Sequence, residues 1–165
     1  MAQIEIAPEL EVAVWLNTPV PLSLAGLRGR VVVLHAFQML CPGCVLHGIP
    51  QAERIHQLFA ADDVQVIGLH TVFEHHEAMR EASLRAFLHE FRVSFPVGID
   101  RHAQPDGMPL TMARYAMRGT PTLILIDRIQ RMRAHEFGQV DDMAVGARIA
   151  QLVAERDAAQ VGGRN

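Results

Sequence analysis

The 165-residue chain lacks lysine altogether and contains only two cysteines and one tryptophan. Its 15 cationic residues are all arginine, they are scattered along the chain, and the formal net charge is −3. No global basic field therefore attracts nucleic acid or an anionic membrane. Long apolar runs are also missing, since no segment approaches the roughly 18 residues of a membrane span. We expect neither a nucleic-acid partner nor membrane association.

The first residues do not resemble an export signal either. Residues 1–14 carry three glutamates and lack a basic stretch followed by an uninterrupted apolar run. The expected compartment is the cytoplasm, or the periplasm if a signal peptide has been removed. Structural disulfides are rare in the cytoplasm, so two cysteines close in sequence are more often catalytic or metal-binding there.

Both cysteines lie in the segment Cys41-Pro42-Gly43-Cys44, at the predicted junction of an apolar strand and a helix. A thiol in the first turn of a helix faces unpaired backbone N–H groups and the positive end of the helix dipole. Both favour the thiolate, which is the form that attacks disulfides. Cys41 is therefore the predicted nucleophile. Cys44, one turn further on, is predicted to attack Cys41 in turn and release the partner.

The hydrophobic pattern predicts an α/β protein. Length favours a single domain over residues 1–165, with a core of about residues 14–156 and a flexible tail over residues 157–165. Predicted strands are Trp15–Leu16, Val20–Leu24, Val31–Phe37, Val64–Leu69, Leu123–Ile126 and Met132–Phe137. Predicted helices are Pro42–Phe59, Glu77–Phe91, Leu110–Met117 and Asp141–Glu155, followed by a frayed end at Gly162–Asn165. The alternation of strands and helices implies a mixed sheet with helices on both faces.

Several short motifs follow one another along nearly the whole chain. They are Leu22–Leu24, Val31–Phe37, Cys41–Cys44, Val66–Gly68, Phe95–Val97, Asp100, Tyr115, Gly119–Thr122, Ile126–Asp127 and Gly138. In this order they resemble the thioredoxin fold, and within it the TlpA-like or redoxin (AhpC/TSA-related) group of thiol–disulfide oxidoreductases. The resemblance implies a three-layer α/β/α sandwich with a central mixed β-sheet and an N-terminal β extension.

The resemblance also implies the roles of several residues. Pro121 is expected to be a cis-proline packed beside the redox pair, and the backbone of Thr120 to pair with an extended segment of the substrate. Leu40 and Pro42 complete the predicted substrate-binding set. The expected partners are proteins or low-molecular-weight thiols and disulfides, and the oligomeric state stays open. We expect no metal and no cofactor beyond the Cys41–Cys44 disulfide.

The chain departs from the family pattern at four places. Leu40 replaces the tryptophan that usually precedes the first cysteine. Pro50 lies six rather than five positions after the second cysteine, which predicts a local bulge near Gly48. His35 occupies the position of the buried carboxylate of thioredoxins. The turn Asp127–Gln130 lacks the glycine that usually ends it.

His35 is a candidate proton acceptor. It shares strand parity with Val33 and Phe37, so we expect it to be buried. An imidazole, whose unperturbed pKa is about 6.5, can accept the proton that Cys44 must lose before it attacks. The alternative interpretation is a neutral core histidine that is hydrogen-bonded to the backbone.

Other functions remain open at this point. A peroxiredoxin-like thiol peroxidase is a close alternative, although its Pro-x-x-x-Thr-x-x-Cys signature is missing around Cys41. A non-catalytic redox-sensing module is a second alternative. A metal site that combines the cysteines with His47 and the pair His75–His76 is disfavoured, because only one ligand pair has the spacing of a structural zinc site. Thr120 and Thr122 could also be ordinary strand formers beside a turn.

Overall fold

The computed structural model describes the backbone of residues 5–161 and the side chains of residues 5–155. Its strands are β1 Val12–Leu16, β2 Val31–Phe37, β3 Val64–His70, β4 Val97–Asp100, β5 Thr122–Ile126 and β6 Met132–Phe137. Its α-helices are α1 Ile49–Leu58, α2 Glu81–Glu90, α3 Leu110–Arg114 and α4 Asp142–Val161. Shorter helical turns are the π-helix Cys44–Gly48 and the 3-10 turns Ala25–Leu27 and His76–Ala78.

The six strands form one mixed sheet in the order β1-β4-β3-β2-β5-β6. The central strand β2 runs parallel to β3 and antiparallel to β5, and all seven of its residues are buried. Strands β1 and β6 are the two edge strands of the sheet, and each pairs antiparallel with its neighbour. The predicted α/β class and mixed sheet are confirmed.

The side chains of β2 alternate between two apolar layers, as the period-2 geometry of a strand requires. Val31, Val33 and Phe37 pack with buried residues of α1, α2 and α4. The intervening residues Val32 and Leu34 pack with α3 and with the N-terminal segment on the opposite face. Because both faces are covered, β2 tolerates the almost continuous apolar run that marked it in the sequence.

The predicted strand Val20–Leu24 is wrong. This segment is irregular and leads into the 3-10 turn Ala25–Leu27. Pro19 and Pro21 flank Val20 and have no backbone N–H to offer a strand partner. Instead, the carboxylate of Glu9 accepts the N–H groups of Leu24 and Ala25. In the described part of the chain the N-terminal β extension is formed by β1, which is longer than the predicted Trp15–Leu16, and by an isolated bridge between Ile6 and Arg131.

Three predicted helices have different bounds in the structure. The helix predicted from Glu77 is preceded by a 3-10 turn and starts only at Glu81, because Arg80 has an extended backbone at its N-cap. The third helix ends at Arg114 rather than Met117. The last helix runs from Asp142 to Val161, beyond the predicted end. The predicted frayed end at residues 162–165 lies outside the described residues.

The candidate site lies where strand β2 ends and strand β5 begins. Strand β2 runs toward the cysteine segment, and β5 starts beside it, since Ala36 pairs with Thr122. The loop before β5 therefore meets the turn after β2. Within residues 5–161, none of the helices combines the length and the apolar character that a membrane crossing requires.

Candidate active site

The two cysteines lie where β2 gives way to the helical segment, as predicted. A tight turn joins them to the strand, in which the Cys41 N–H donates to the carbonyl oxygen of Gln38 at 3.0 Å. Cys41 is half-buried and Cys44 is fully buried, and both are free thiols. The Cys44 N–H donates to Cys41 Sγ at 3.4 Å. One sulfur is thus accessible to a partner, while the second stands behind it in the core.

The loop before β5 supplies the other wall of the site. The Thr120–Pro121 peptide bond is cis, as the resemblance implied. A Cβ atom on Gly43 would stand 3.4 Å from Pro121 Cδ, so the cysteine segment and the proline are in van der Waals contact. The Cys41 thiol lies 3.5 Å from the carbonyl oxygen of Thr120, which accepts its hydrogen bond. The structure therefore brings the predicted residues of the two loops together.

The two thiols have different surroundings. Burial raises the pKa of Cys44 to about 12, and a hydrogen bond with the Cys41 thiol acts in the same direction. The backbone of Gln38 and the hydroxyl of Thr120 also hydrogen-bond the Cys44 sulfur, and they lower its pKa in part. Cys44 is consequently a protonated thiol at neutral pH, and it needs a base before it can act as a nucleophile.

The predicted bulge near Gly48 is present. Residues Cys44–Gly48 form a π-helical turn in which the Ile49 N–H donates to the carbonyl oxygen of Cys44. A π-bulge inserts one residue into a helix without breaking it. This accounts for the position of Pro50, one residue later than the family pattern places it.

His35 lies directly beneath this bulge. Its ring packs so closely against Gly48 that a Cβ atom there would stand 2.5 Å from Nε2. The residue is 2% exposed, and burial lowers its pKa to about 4. Among the described residues Nε2 finds no hydrogen-bond partner, and the ring borders a cavity of about 70 Å³ together with Pro121 and Gly138. His35 is thus a neutral imidazole that packs against Gly48, the last residue of the π-helical turn that begins at Cys44.

Two leucines close to Cys41 in the sequence are exposed. Leu40 is 53% exposed, and Leu46 on the π-helical turn is 68% exposed. Pro42 is exposed as well, while Thr120 and Pro121 are half-buried. All four predicted substrate contacts are therefore open to solvent at least in part, as a binding surface requires.

The Redoxin family pattern matches residues 6–147. The chain belongs to the Redoxin family. Protein DipZ of Mycobacterium tuberculosis (strain CDC 1551 / Oshkosh) is 28% identical over 150 residues, which cover 89% of this redoxin and 20% of DipZ. NHL repeat-containing protein 2 of Gallus gallus is 34% identical over 91 residues, 54% of this chain and 12% of that protein. The redoxin chain thus spans about a fifth or less of these relatives.

Two solved structures cover almost the whole redoxin. A crystal structure of a thioredoxin-like superfamily protein has a TM-score of 0.87 at 56% identity, covering 90% of this chain and 96% of that one. A thiol-disulfide isomerase from Corynebacterium glutamicum has a TM-score of 0.88 at 46% identity, covering 93% and 99%. These similarities confirm the predicted thioredoxin-like fold. They also confirm the prediction that the chain is a redoxin oxidoreductase of the thioredoxin type.

Three features of the site had not been predicted. The side chain of Thr120 lowers the pKa of Cys44, whereas the resemblance implies a role only for the backbone of this residue. Gln38 and His70 are buried beside the turn that precedes Cys41. His70 accepts the N–H of Met39 in this turn, and the Gln38 side chain accepts the N–H of Phe73. In the sequence, Gln38 is a polar residue that directly follows the apolar strand and stands near the cysteine motif. No pattern in the sequence links His70 to the cysteines, since the strand pairing alone makes them neighbours.

The histidines considered as metal ligands do not gather around the thiols. His47 is exposed on the π-helical turn, and His76 lies 3.8 Å from Asp106 and meets the ring of His102 edge-on. Among the side chains that the structure describes, no three His, Cys, Asp or Glu residues are arranged to hold a metal ion.

Proposed function

We propose that this redoxin exchanges disulfides with thiol partners through a Cys41/Cys44 redox pair. The observation that carries the proposal is the arrangement of one half-buried and one buried thiol, linked by the 3.4 Å contact from the Cys44 N–H to Cys41 Sγ, against a cis-proline loop. The thiol-disulfide isomerase at 46% identity supports the same chemistry.

The reaction proceeds in two steps. The Cys41 thiolate attacks one sulfur of the partner disulfide, and the other partner sulfur leaves as a thiolate that takes a proton from water. Cys44 then loses its proton and attacks Cys41 Sγ, so that the mixed disulfide breaks and the second partner thiolate leaves. The partner is reduced by two electrons and the protein is oxidised to the Cys41–Cys44 disulfide. Run backwards, the steps oxidise a dithiol. The chemistry needs no cofactor besides this disulfide.

Part of the same proposal is that His35 accepts the proton of Cys44. Burial disfavours the Cys44 thiolate, so the deprotonation of Cys44 requires a base nearby. His35 is neutral, packs against Gly48 on the turn that begins at Cys44, and has an Nε2 atom without a partner among the described residues. The cavity beside His35 is large enough for water, to which the ring can pass the proton on.

For the partner, we propose a protein or a low-molecular-weight disulfide that lies along the Thr120–Pro121 loop. The exposed side chains of Leu40 and Leu46 offer apolar contact, and the backbone of Thr120 offers strand-like hydrogen bonds. Such contacts provide affinity with little sequence selectivity.

The reduction of insulin disulfides by dithiothreitol tests the exchange reaction. We expect the wild-type protein to accelerate it and Cys41→Ser to leave only the uncatalysed rate. Cys44→Ser should accumulate a mixed disulfide on Cys41, which intact-mass spectrometry detects. A wild-type rate equal to that of Cys41→Ser would refute the function. Consumption of peroxide that outpaces disulfide exchange would favour the peroxidase instead.

The role of His35 is tested separately by the lifetime of the mixed disulfide. In His35→Ala, resolution by Cys44 should be slower at about pH 7 and should approach the wild-type rate at high pH, where hydroxide replaces the base. Single-turnover reactions that are quenched and then separated on gels measure this rate. An unchanged pH–rate profile would exclude His35 as the proton acceptor.

A further inference from the structure

The turn that carries the nucleophile is hydrogen-bonded to a histidine on the neighbouring strand. The Met39 N–H, two residues before Cys41, donates to His70 Nε2 at 3.2 Å. His70 is the last residue of β3 and pairs in register with Phe37, the last residue of β2. The two rings also touch, with centroids 5.1 Å apart. The imidazole therefore sits under the point where the chain leaves the sheet for the cysteines.

The direction of this hydrogen bond restricts the state of the ring. A backbone N–H can only donate, so Nε2 must be unprotonated, and the single proton of the neutral ring stands on Nδ1. His70 is 1% exposed, and burial lowers its pKa to about 4, which agrees with a neutral ring. Without this acceptor, the Met39 N–H would lose its partner in a half-buried position, which is costly.

Two further hydrogen bonds join the same segments. The Thr71 N–H donates to the carbonyl oxygen of Phe37 at 3.1 Å, and the Phe73 N–H donates to Oε1 of Gln38 at 3.1 Å. Gln38 in turn accepts the Cys41 N–H on its carbonyl oxygen. The segment after β3 thus holds successive residues of the turn.

We infer that His70 is a positioning residue for Cys41, which it serves by accepting the Met39 N–H and so fixing the turn that presents the thiol to Thr120 and to a partner. The inference rests on the proposed function, since a fixed thiol matters only if it reacts. It concerns the reactivity of Cys41 and not proton transfer, so it is independent of the role proposed for His35.

Two substitutions separate the hydrogen bond from the packing of the ring. His70→Phe keeps a buried ring against Phe37 but removes the acceptor. His70→Gln places a side-chain oxygen close to the position of Nε2 and can still accept. Both are made in a Cys44→Ser background, so that Cys41 is the only thiol in the chain. The rate of alkylation by iodoacetamide at neutral pH then reports on Cys41 directly.

We expect alkylation to be about tenfold slower in His70→Phe, because one lost hydrogen bond of about 1.4 kcal/mol corresponds to a factor of ten. His70→Gln should stay within about twofold of the parent, and hydrogen exchange of the Met39 amide should be fast only in His70→Phe. A folded His70→Phe protein with the parent rate, or equal slowing in both variants, would overturn the inference.

A measurement on the wild-type protein covers the case in which His70→Phe does not fold. Nitrogen-15 chemical shifts should show His70 Nε2 unprotonated and Nδ1 protonated, and a protonated Nε2 would overturn the inference. Insulin reduction by the wild-type protein tests the proposed function separately. If that turnover is absent while the alkylation rates differ as expected, the function fails and the role of His70 stands.

Discussion

Moderate acid should destabilise the folded protein through its two buried histidines. Burial lowers the pKa of both His35 and His70 from 6.5 to about 4. In the unfolded chain each ring takes up a proton near pH 6.5, whereas in the folded protein it stays neutral until about pH 4. The stability that each neutral histidine contributes is therefore complete above pH 6.5 and is lost as the pH falls toward 4.

The size of the effect follows from the width of that interval. One pKa unit is worth about 1.36 kcal/mol, so between about pH 7.5 and about pH 5 each histidine should remove about 2 kcal/mol from the free energy of unfolding. Together they remove about 4 kcal/mol, a large part of the roughly 5–15 kcal/mol of a typical domain.

Carboxylates contribute little over the same range. Hydrogen bonds from Arg54 and Arg133 lower the pKa of Asp142 and of Glu155, so both remain ionised in the folded protein at about pH 5. Asp100 acts in the opposite direction, because burial raises its pKa and acid then favours the folded state. The histidines should dominate the loss above about pH 5.

Urea unfolding of the reduced protein, measured over this pH range, gives the free energy by linear extrapolation. His35→Asn and His70→Gln replace each ring by a side chain that does not titrate, and each should remove about half of the pH dependence. A wild-type change below about 1 kcal/mol, or variants that keep the whole dependence, would refute the reasoning. In that case the rings would be hydrated well enough to carry charge in the folded state.

Three further predictions concern the site. Gly48→Ala should destabilise the protein by about 1–3 kcal/mol, because the new methyl group collides with His35. The control Gly146→Ala has open space in α4 and should stabilise the protein by up to about 1 kcal/mol. Thermal unfolding of both variants measures these changes. Thr120→Val removes a hydrogen bond that lowers the pKa of Cys44, so the mixed disulfide should persist longer in quenched single-turnover reactions, and an unchanged lifetime would contradict this. Since burial raises the pKa of Cys44 from 9.0 to about 12, the reduced protein should lose stability relative to the oxidised one as the pH rises above 9.0, which parallel denaturant titrations of the two forms measure.

The local patterns of the sequence determined much of the fold and the chemistry. Continuous apolar β-branched residues marked β2 as a central strand covered on both sides, because only such a strand can bury every side chain. The Cys41–Cys44 spacing placed two thiols one helical turn apart, and the late Pro50 required an inserted residue that the π-helical turn supplies. A prediction failed where local signals were ambiguous: Val20–Leu24 is mostly apolar, but Pro19 and Pro21 flank Val20 and lack the N–H that a strand partner needs.

Only the tertiary structure decided which distant residues share the surroundings of the thiols. His70 meets Met39 because β3 pairs in parallel register with β2, and no short-range pattern encodes that register. The pKa values of Cys44 and His35 depend on burial, which in turn depends on how the helices cover the sheet. Sequence spacing determines which groups are neighbours along one element, but desolvation and contacts between elements arise only when the chain is packed.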